Sequence, residues 1–549
     1  MVNGVRPPRQ GAHRASEPIV RDSVDSEQPV EAQRPSLKRR IARNSIWYGI
    51  EAAIGLLATL ATTIVVARLI GPQRLGYFNY IYWLSNTAGG LASLGIPATT
   101  GKYMAEYLAG GQKGIARAIF FFTLRAQSAI ALVIMSIGLI LVFTFVDPAY
   151  RYAAMILVAA MLPQMLAFIP SMANVGAEKV AANTRGAFAG TVVSVLLVAL
   201  SLFLGWDLAG IACAVFLSRV VELLAKLIPV LGWVREIPAA ELPSAVKKRM
   251  VSFSGQNLIL LILNVVVWDR SDMVFLRMLQ SDTRQLAFFS VAFSIIEKLF
   301  LAPQIFAAGV GVSQFSESGR DRQRLLAMTT TAAKYVYLCG LPMLAGAAAI
   351  GGPLIGALYG PRYLPMARVF QVMAIFAIPR LVILPAYNLL LATENQKPLV
   401  IWNCVCGVAD VLLDLTLIPL FGAFGAAAAN GIAQTLAAVG VWVIVSRRFS
   451  IRLDATFFTR LTAVCASMVA IVVLLVSRLH SWPAVAAGTG AGIAVFVLGL
   501  RFASVLAAED RERLLTLERQ LPARIRTLFR EFVMFIAPQQ QTRQVIGRE

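Results

Sequence analysis

Residues 416–434 read TLIPLFGAFGAAAANGIAQ, an apolar segment that passes through a Gly-Ala-Phe-Gly turn into a helix opening on small residues. A related stretch, LFLGWDLAGIACA, occupies residues 202–214, and its Gly210 stands 215 positions before Gly425. The same offset joins two further pairs near the ends of apolar segments: Pro170 with Pro385, and Ala177 with Ala392. One shared offset at three landmarks indicates an internal repeat. We therefore predict two similar halves that meet near Ala240.

The composition is that of a membrane protein. Of 549 residues, 58% are hydrophobic and only 14% are charged, and the mean hydropathy is +0.70. Soluble domains need more charged surface than this, whereas a polytopic helical membrane protein does not. The apolar runs reach about 20 residues or more without the alternation of a strand. The fold class predicted is therefore an all-α polytopic membrane protein.

The formal net charge of +21 would suggest nucleic-acid binding in a soluble protein. Here the basic residues lie mainly in the tails and between apolar runs, where the positive-inside bias of membrane proteins places them. The distribution argues against a nucleic-acid partner.

The five cysteines all lie in apolar runs, and neither histidine is near them. None has the spacing of zinc ligands, so they are interpreted as small buried helix residues. The sequence predicts no metal site and no cofactor.

Fourteen candidate spans follow from the apolar runs. They cover residues 44–70, 75–97, 116–146, 151–173, 184–205, 208–233, 253–279, 286–312, 329–351, 366–391, 398–420, 423–446, 456–477 and 482–506. Even-numbered connections carry basic clusters such as 247–249, whereas odd-numbered connections are short and carry few cations. This asymmetry predicts fourteen spans with both termini in the cytoplasm.

The predicted organisation has six parts. These are a disordered basic cytoplasmic tail (1–42), an N-lobe of spans 1–6 (43–235), a cytoplasmic inter-lobe linker (236–252), a C-lobe of spans 7–12 (253–450), spans 13 and 14 (451–507), and a cytoplasmic amphipathic tail (508–549). The final tail reads as an interfacial helix on the inner leaflet, with a partner-docking helix as the alternative.

No catalytic signature is present. The chain has no Walker A loop, and its predicted extracytoplasmic loops are too short to form a catalytic domain. An enzyme is therefore not expected.

The spans do contain ionisable residues, which are costly in hydrocarbon and should face a polar interior or pair with one another. The cations predicted to line a cavity are Arg125, Arg219, Arg270, Lys298 and Arg380. The acids predicted as coupling residues or counter-charges are Glu51, Glu222, Asp269, Asp410 and Asp414. A cavity in which cations predominate suits an anionic ligand such as a phosphate or pyrophosphate.

Alternatives remain for several of these groups. Glu222 and Lys226, at i and i+4, form a self-neutralising pair in one interpretation. Glu297 and Lys298 are adjacent, which makes a direct pair between them less favourable. Asp410 and Asp414 lie one turn apart and suit either counter-charges or a site for a coupling proton or sodium ion.

Residues 66–80, VARLIGPQRLGYFNY, resemble the ARLLGPxxfGxY pattern of the Wzx-type polysaccharide-transporter flippases. Further similar stretches are residues 91–106, 269–276 and 417–429, and together they extend over most of residues 43–450. The family belongs to a superfamily that also holds lipid II flippases and multidrug extruders.

The resemblance implies two six-helix lobes related by a pseudo-two-fold axis, followed by two extra helices. It also implies alternating access, in which a central cationic cavity carries an undecaprenyl-pyrophosphate-linked oligosaccharide across the bacterial inner membrane. A polysaccharide polymerase and export machinery are the partners implied.

Other functions stay open at the level of sequence. Within the fold they are an ion-coupled multidrug extruder, disfavoured by the arginines, and a lipid II flippase. From another class, a membrane polymerase or ligase would act on the same substrates, and a non-transporting scaffold is the remaining alternative.

Overall fold

The computed structural model describes residues 55, 57–317, 321–393, 395–518 and 523–537, which contain helices and no strand. The predicted tail 1–42 and Glu51 lie outside this part of the chain. The helices up to residue 235 are α1 (Leu57–Ile70), α2 (Pro72–Ala92), α3 (Ile96–Ala109), α4 (Lys113–Phe145), α5 (Pro148–Ala159), α6 (Met161–Gly176), α7 (Ala181–Phe203) and α8 (Asp207–Arg235).

The later helices follow a linker of residues 236–243, shorter than the predicted 236–252 because α9 begins at Ser244. They are α9 (Ser244–Trp268), α10 (Asp272–Leu279), α11 (Arg284–Glu317), α12 (Arg322–Ala349), α13 (Gly351–Tyr359), α14 (Met366–Phe376), α15 (Ile383–Ala392), α16 (Gln396–Phe421), α17 (Ala423–Phe449), α18 (Ala455–Val476), α19 (Ser481–Phe502), α20 (Ala508–Glu518) and α21 (Ala523–Ile536). We call α1–α8 the first bundle and α9–α17 the second bundle.

The prediction of an all-α membrane protein is confirmed. Ten helical segments in the described part of the chain are long and apolar enough to cross a membrane, and they coincide with predicted spans 3–6 and 9–14. The count of fourteen stays a prediction. The other four predicted spans are the first two of each half: spans 1 and 2 in the first half, and spans 7 and 8 in the second. Helices at a polar interior need fewer apolar residues, and α2 packs along α11 and touches α9 where the bundles meet.

The repeat seen in the sequence has a counterpart in the packing. Gly210 and Gly425 each lie in the first turns of a helix, α8 and α17, that folds back on the preceding helix. A Cβ atom at Gly425 would lie 2.2 Å from the carbonyl oxygen of Leu417. A Cβ atom at Gly210 would lie 2.7 Å from the Cβ atom of Ser201. Both hairpins therefore depend on glycine for their close approach.

We expect Gly425→Ala to destabilise the protein by about 1–3 kcal/mol, because the added methyl group meets backbone that cannot move aside. Gly232→Ala is the matched control, since no atom lies within 4 Å of its Cβ position in α8. The control should be neutral or slightly stabilising, because alanine favours helix by about 1 kcal/mol over glycine. The melting temperatures of the purified variants in detergent measure both effects, and equal values would contradict the packing argument.

The two bundles meet along α2 and α11. A Cβ atom at Gly76 would lie 2.1 Å from the carbonyl oxygen of Thr283, so the backbones nearly touch there. About one helical turn further along α2, Asn79 Nδ2 donates a hydrogen bond of 3.0 Å to Ser290 Oγ of α11. These contacts place the polar side chains of α2 opposite those of the second bundle.

The C-terminal helices dock on the protein's own spans. Asp510 of α20 accepts a 2.5 Å ion pair from Lys334 of α12 and a 3.2 Å hydrogen bond from Tyr335 Oη. The Asp510 side chain is only 2% exposed. Arg501 at the end of α19 donates to the carbonyl oxygen of Phe535 in α21 at 3.0 Å. The tail predicted to lie at the membrane surface is therefore tied to α12 and α19.

Candidate functional site

Predicted span 7 is broken in its interior. Helix α9 ends at Trp268, α10 begins at Asp272, and Asp269 between them has extended backbone angles (φ −106°, ψ −163°). Aspartate and serine side chains compete with the helical hydrogen bonds of the backbone, so the sequence Asp-Arg-Ser-Asp favours such a break. Non-helical backbone at membrane depth is tolerated only where protein or a polar cavity surrounds it. In transporters, broken helices hold the substrate and ion sites.

Three aspartates from two helices meet behind this break. Asp272 of α10 lies beside Asp410 and Asp414 of α16, with one carboxylate oxygen of each within 4.8 Å of the others. All three are buried, at 0%, 1% and 0% exposure respectively. The spacing of Asp410 and Asp414 by four residues turns both side chains to the same face of α16.

Few hydrogen-bond donors and no cations among the described residues offset the negative charge of this cluster. Five of its six carboxylate oxygens have no hydrogen-bond donor among the described residues, and the sixth accepts from Asn430. No lysine or arginine within that part of the chain pairs with it. Three buried negative charges this close repel one another strongly, so a cation or protons must offset them. Carboxylate oxygens are hard ligands, which suit a hard cation.

Two of the predicted cations lie on the other side of the break. The Arg270 guanidinium is stacked 5.3 Å from the ring of Phe293, and its contact with Asp269 is a loose 3.6 Å. Lys298 Nζ lies 3.5 Å from the carbonyl oxygen of Ser294 and is repelled by Arg270. Asp269 thus makes a loose contact with Arg270, and Lys298 forms no ion pair with any described residue.

This cationic pair lies where the bundles meet. Trp83 of α2, in the first bundle, donates from Nε1 to Asp269 Oδ2 at 3.2 Å. A ligand drawn to Arg270 and Lys298 would therefore touch elements of both bundles.

Asn430 of α17 connects the two sides of the break. Its Nδ2 donates to Asp272 Oδ2 at 3.1 Å and lies 3.4 Å from the backbone oxygen of Asp269. Gln434, one turn later, donates to Asn430 Oδ1 at 2.9 Å and fixes the orientation of the amide. A change of charge at Asp272 would thereby reach the backbone that carries Arg270.

The first bundle holds a second charged group. Glu222 accepts from Arg219 at 3.0 Å and from Lys226 at 2.6 Å, so the intrahelical pair weighed from the sequence is present. Arg219 Nη2 also donates to Tyr82 Oη at 3.2 Å. Two cations share one carboxylate, which leaves one net positive charge. The cavity of about 300 Å³ beside them is lined with hydroxyl groups, among them Thr59, Thr62, Thr63, Thr191, Ser194 and Ser218.

Arg380 has its own counter-charge. Its Nη1 lies 2.5 Å from Glu297 Oε1, and its guanidinium stacks on Phe300 and Trp268. It lines a cavity of about 490 Å³ within the second bundle. Glu297 therefore pairs with Arg380, while its chain neighbour Lys298 turns towards Arg270.

Arg125 stands apart from the other predicted cations. It is exposed on α4, with no carboxylate partner among the described residues, and lines a separate cavity with Arg117 and Lys247. Sequence reasoning also missed two contributors, since Asp272 and Asn430 were not selected as site residues. The signal for Asp272 was its place in a short run of charged residues within an apolar span.

Two family models match the sequence. One, described as polysaccharide biosynthesis protein, matches residues 65–368. The other, described as lipid II flippase MurJ, matches residues 305–487. No curated protein matches the chain.

Solved structures of transporters share the fold. A lipid II flippase MurJ in an inward closed conformation has a TM-score of 0.68 at 12% identity, over 83% of this chain and 98% of that one. A multidrug resistance MATE family transporter of the MOP superfamily, inward-facing, has 0.62 at 15% identity, over 72% and 94%. A MOP superfamily transporter from Pyrococcus furiosus has 0.56 at 14% identity, over 75% and 96%. Identities this low establish the fold alone.

Proposed function

The chain belongs to the polysaccharide biosynthesis protein family, and on that premise we propose that it is a flippase for undecaprenyl-pyrophosphate-linked oligosaccharide repeat units. It would carry them across the bacterial inner membrane for exopolysaccharide, capsule or O-antigen synthesis, with both termini in the cytoplasm. A polysaccharide polymerase and export machinery would receive the product. The chain is a multi-pass membrane protein, and its fold is shared by flippases and extruders.

The observation that carries the proposal is the undercompensated cation pair Arg270 and Lys298 at the junction of the bundles. Guanidinium and ammonium groups bind phosphate oxygens through charge-assisted hydrogen bonds. Arg270 Nε is buried and has no hydrogen-bond acceptor among the described residues, since Asp269 Oδ1 lies 3.6 Å away, so Asp269 does not satisfy the guanidinium. A pyrophosphate between the bundles would neutralise both cations without any chemical step.

The carboxylate cluster supports coupling of this movement to an ion. Loading a sodium ion or protons beside Asp272 removes the repulsion among the three carboxylates. Asn430 then relays the changed charge to the Asp269 backbone and so to Arg270. The substrate site at Arg270 and the ion site at Asp272 both adjoin the break in span 7. Binding at one site would therefore alter the other, so that substrate and ion are bound and released in alternation.

A lipid II flippase is the second candidate, favoured by the match of residues 305–487 to that family's model. Its substrate carries the same chemistry at the pyrophosphate, and it differs in the sugar head group. A multidrug extruder for cationic compounds is less well supported, because the groups facing the bundle junction are predominantly cationic.

Deletion of the gene tests the proposal. We expect loss of the surface polymer together with complete lipid-linked repeat units on the inner leaflet, measured by extraction and mass spectrometry of the lipid-linked pool. Accumulation of lipid II with arrested wall synthesis would point to the second candidate. Normal polymer with increased sensitivity to cationic dyes would overturn the proposal in favour of an extruder.

A further inference from the structure

A cavity of about 310 Å³ lies between α4 and the linker that joins the two bundles. From α4 it is lined by Arg117, Phe121, Phe122 and Arg125, and from the other side by linker residues and Lys247 of α9. The site described above uses none of these residues. The cavity therefore needs an explanation of its own.

Its charge is entirely positive. Three cations line it and no carboxylate does, and none of the three forms an ion pair with a described residue. Arg117 donates to the backbone oxygens of Arg235, at 3.2 Å, and of Ile237, which fixes the linker but supplies no negative charge. Three cations that line one cavity without a carboxylate favour an anionic ligand there.

The depth of the cavity identifies the class of that ligand. The 20 residues that follow Arg125 in α4, from Ala126 to Phe145, contain no charged side chain. At 1.5 Å per residue they extend about 30 Å, which matches the hydrocarbon thickness of a bilayer. Arg125 therefore lies at the boundary between hydrocarbon and head groups. Arg117, eight residues earlier, lies about 12 Å further out.

The part of α4 beyond the cavity faces lipid. The apolar 18-residue window of α4 has the smallest buried share among the ten candidate spans, 11%, so that stretch is free to face acyl chains. Phe121 and Phe122 offer apolar walls beside the cations. Basic pockets at the cytoplasmic side of membrane helices bind the head groups of anionic lipids.

We propose that this cavity binds the phosphate of an anionic phospholipid of the inner leaflet, between Arg117, Arg125 and Lys247, and that the bound lipid holds the inter-bundle linker against α4. The site is separate from Arg270 and Lys298, so a phospholipid there does not compete with the transported lipid. Because the linker connects the bundles, occupancy would stabilise the whole membrane domain.

Native mass spectrometry and thermal unfolding of the purified full-length chain test this without any transport assay. We expect phosphatidylglycerol to remain bound at one molecule per chain and to raise the melting temperature, while phosphatidylcholine and inorganic phosphate do neither. Arg125→Ala combined with Lys247→Ala should lower phosphatidylglycerol retention at least tenfold.

The matched control is Arg185→Ala combined with Lys248→Ala. It removes the same charge from two exposed residues outside the cavity and should bind phosphatidylglycerol as the wild type does. Equal retention by both double variants would overturn the proposal. So would displacement of the bound phospholipid by stoichiometric undecaprenyl phosphate, since the cavity would then be a substrate site.

Discussion

Asp410→Asn is expected to make lipid translocation insensitive to the ion gradient that we propose drives the wild-type protein. The substitution keeps the size of the side chain and removes one of the three buried charges. Two unit charges about 4 Å apart interact by roughly 4 kcal/mol at the effective dielectric of a protein. The variant therefore loses one of the three charges that attract the ion, roughly 4 kcal/mol of attraction, and gradient-driven transport in proteoliposomes should fall at least tenfold.

Thermal unfolding gives the same residue a second readout that is independent of the transported lipid. A saturating ion at about 100 times its Kd stabilises the folded wild type by about 2.7 kcal/mol. Asp410→Asn should lose that increment. Without the ion, however, it should be more stable than the wild type, because one repulsive charge is gone. The order of the two melting temperatures should therefore reverse when sodium is added or the pH is lowered.

The control for this experiment is Asp207→Asn, which removes an aspartate that pairs with Arg74 and is about half exposed. Exposed pairs contribute at most about 1 kcal/mol, so its response to the ion should match that of the wild type. If Asp410→Asn kept both its gradient dependence and its ion-induced stabilisation, the carboxylate cluster would have a structural role only.

Arg270→Ala is the second substitution with a large expected effect. Each charge-assisted hydrogen bond to a phosphate contributes about 1.5–3 kcal/mol, so its loss should reduce translocation by roughly 10- to 100-fold. Combining it with Lys298→Ala should abolish measurable export, because both cations of the proposed pyrophosphate site would be removed. Arg270→Lys keeps the charge but not the two-pronged geometry and should be intermediate.

Protein accumulation, ion-induced stabilisation and export by a control variant together distinguish a loss of substrate binding from a loss of folding or of ion coupling. Arg270→Ala should accumulate normally and keep its ion-induced stabilisation, since the carboxylates behind the break are untouched. Arg277→Ala is the matched control, because it removes an exposed arginine from the same α10 and should export normally. Wild-type export by the Arg270 and Lys298 double variant would exclude this pair as the pyrophosphate site.

The repeat illustrates what a sequence alone can reveal about such a protein. The common offset of Gly210 and Gly425 marks two helical hairpins that pack too closely for a Cβ atom at either glycine. Helix positions were also readable, because apolar runs of this length have few alternatives in a membrane. Local chemistry suffices for both inferences.

The sequence did not predict contacts between side chains that are far apart along the chain. Arg380 pairs with Glu297 from another helix, and Asp272 joins Asp410 across 138 residues. The sequence also did not predict the surroundings of Arg125. The sequence of an apolar helix gives little indication of which of its sides faces protein and which faces lipid. Only tertiary structure distinguishes its cavity from the one beside Arg219.

The docking of α20 on α12 determines where this protein can be cut or tagged. Removing the chain after residue 507 would leave Lys334 beside Phe457 without Asp510, and stranding one member of a buried ion pair costs about 3–5 kcal/mol. A fluorescent reporter or affinity tag is best attached beyond Ala537, where both terminal helices are retained. Truncations chosen to trim an apparently dispensable tail would instead yield poorly expressed protein, and their lack of activity would say nothing about the tail's role in export.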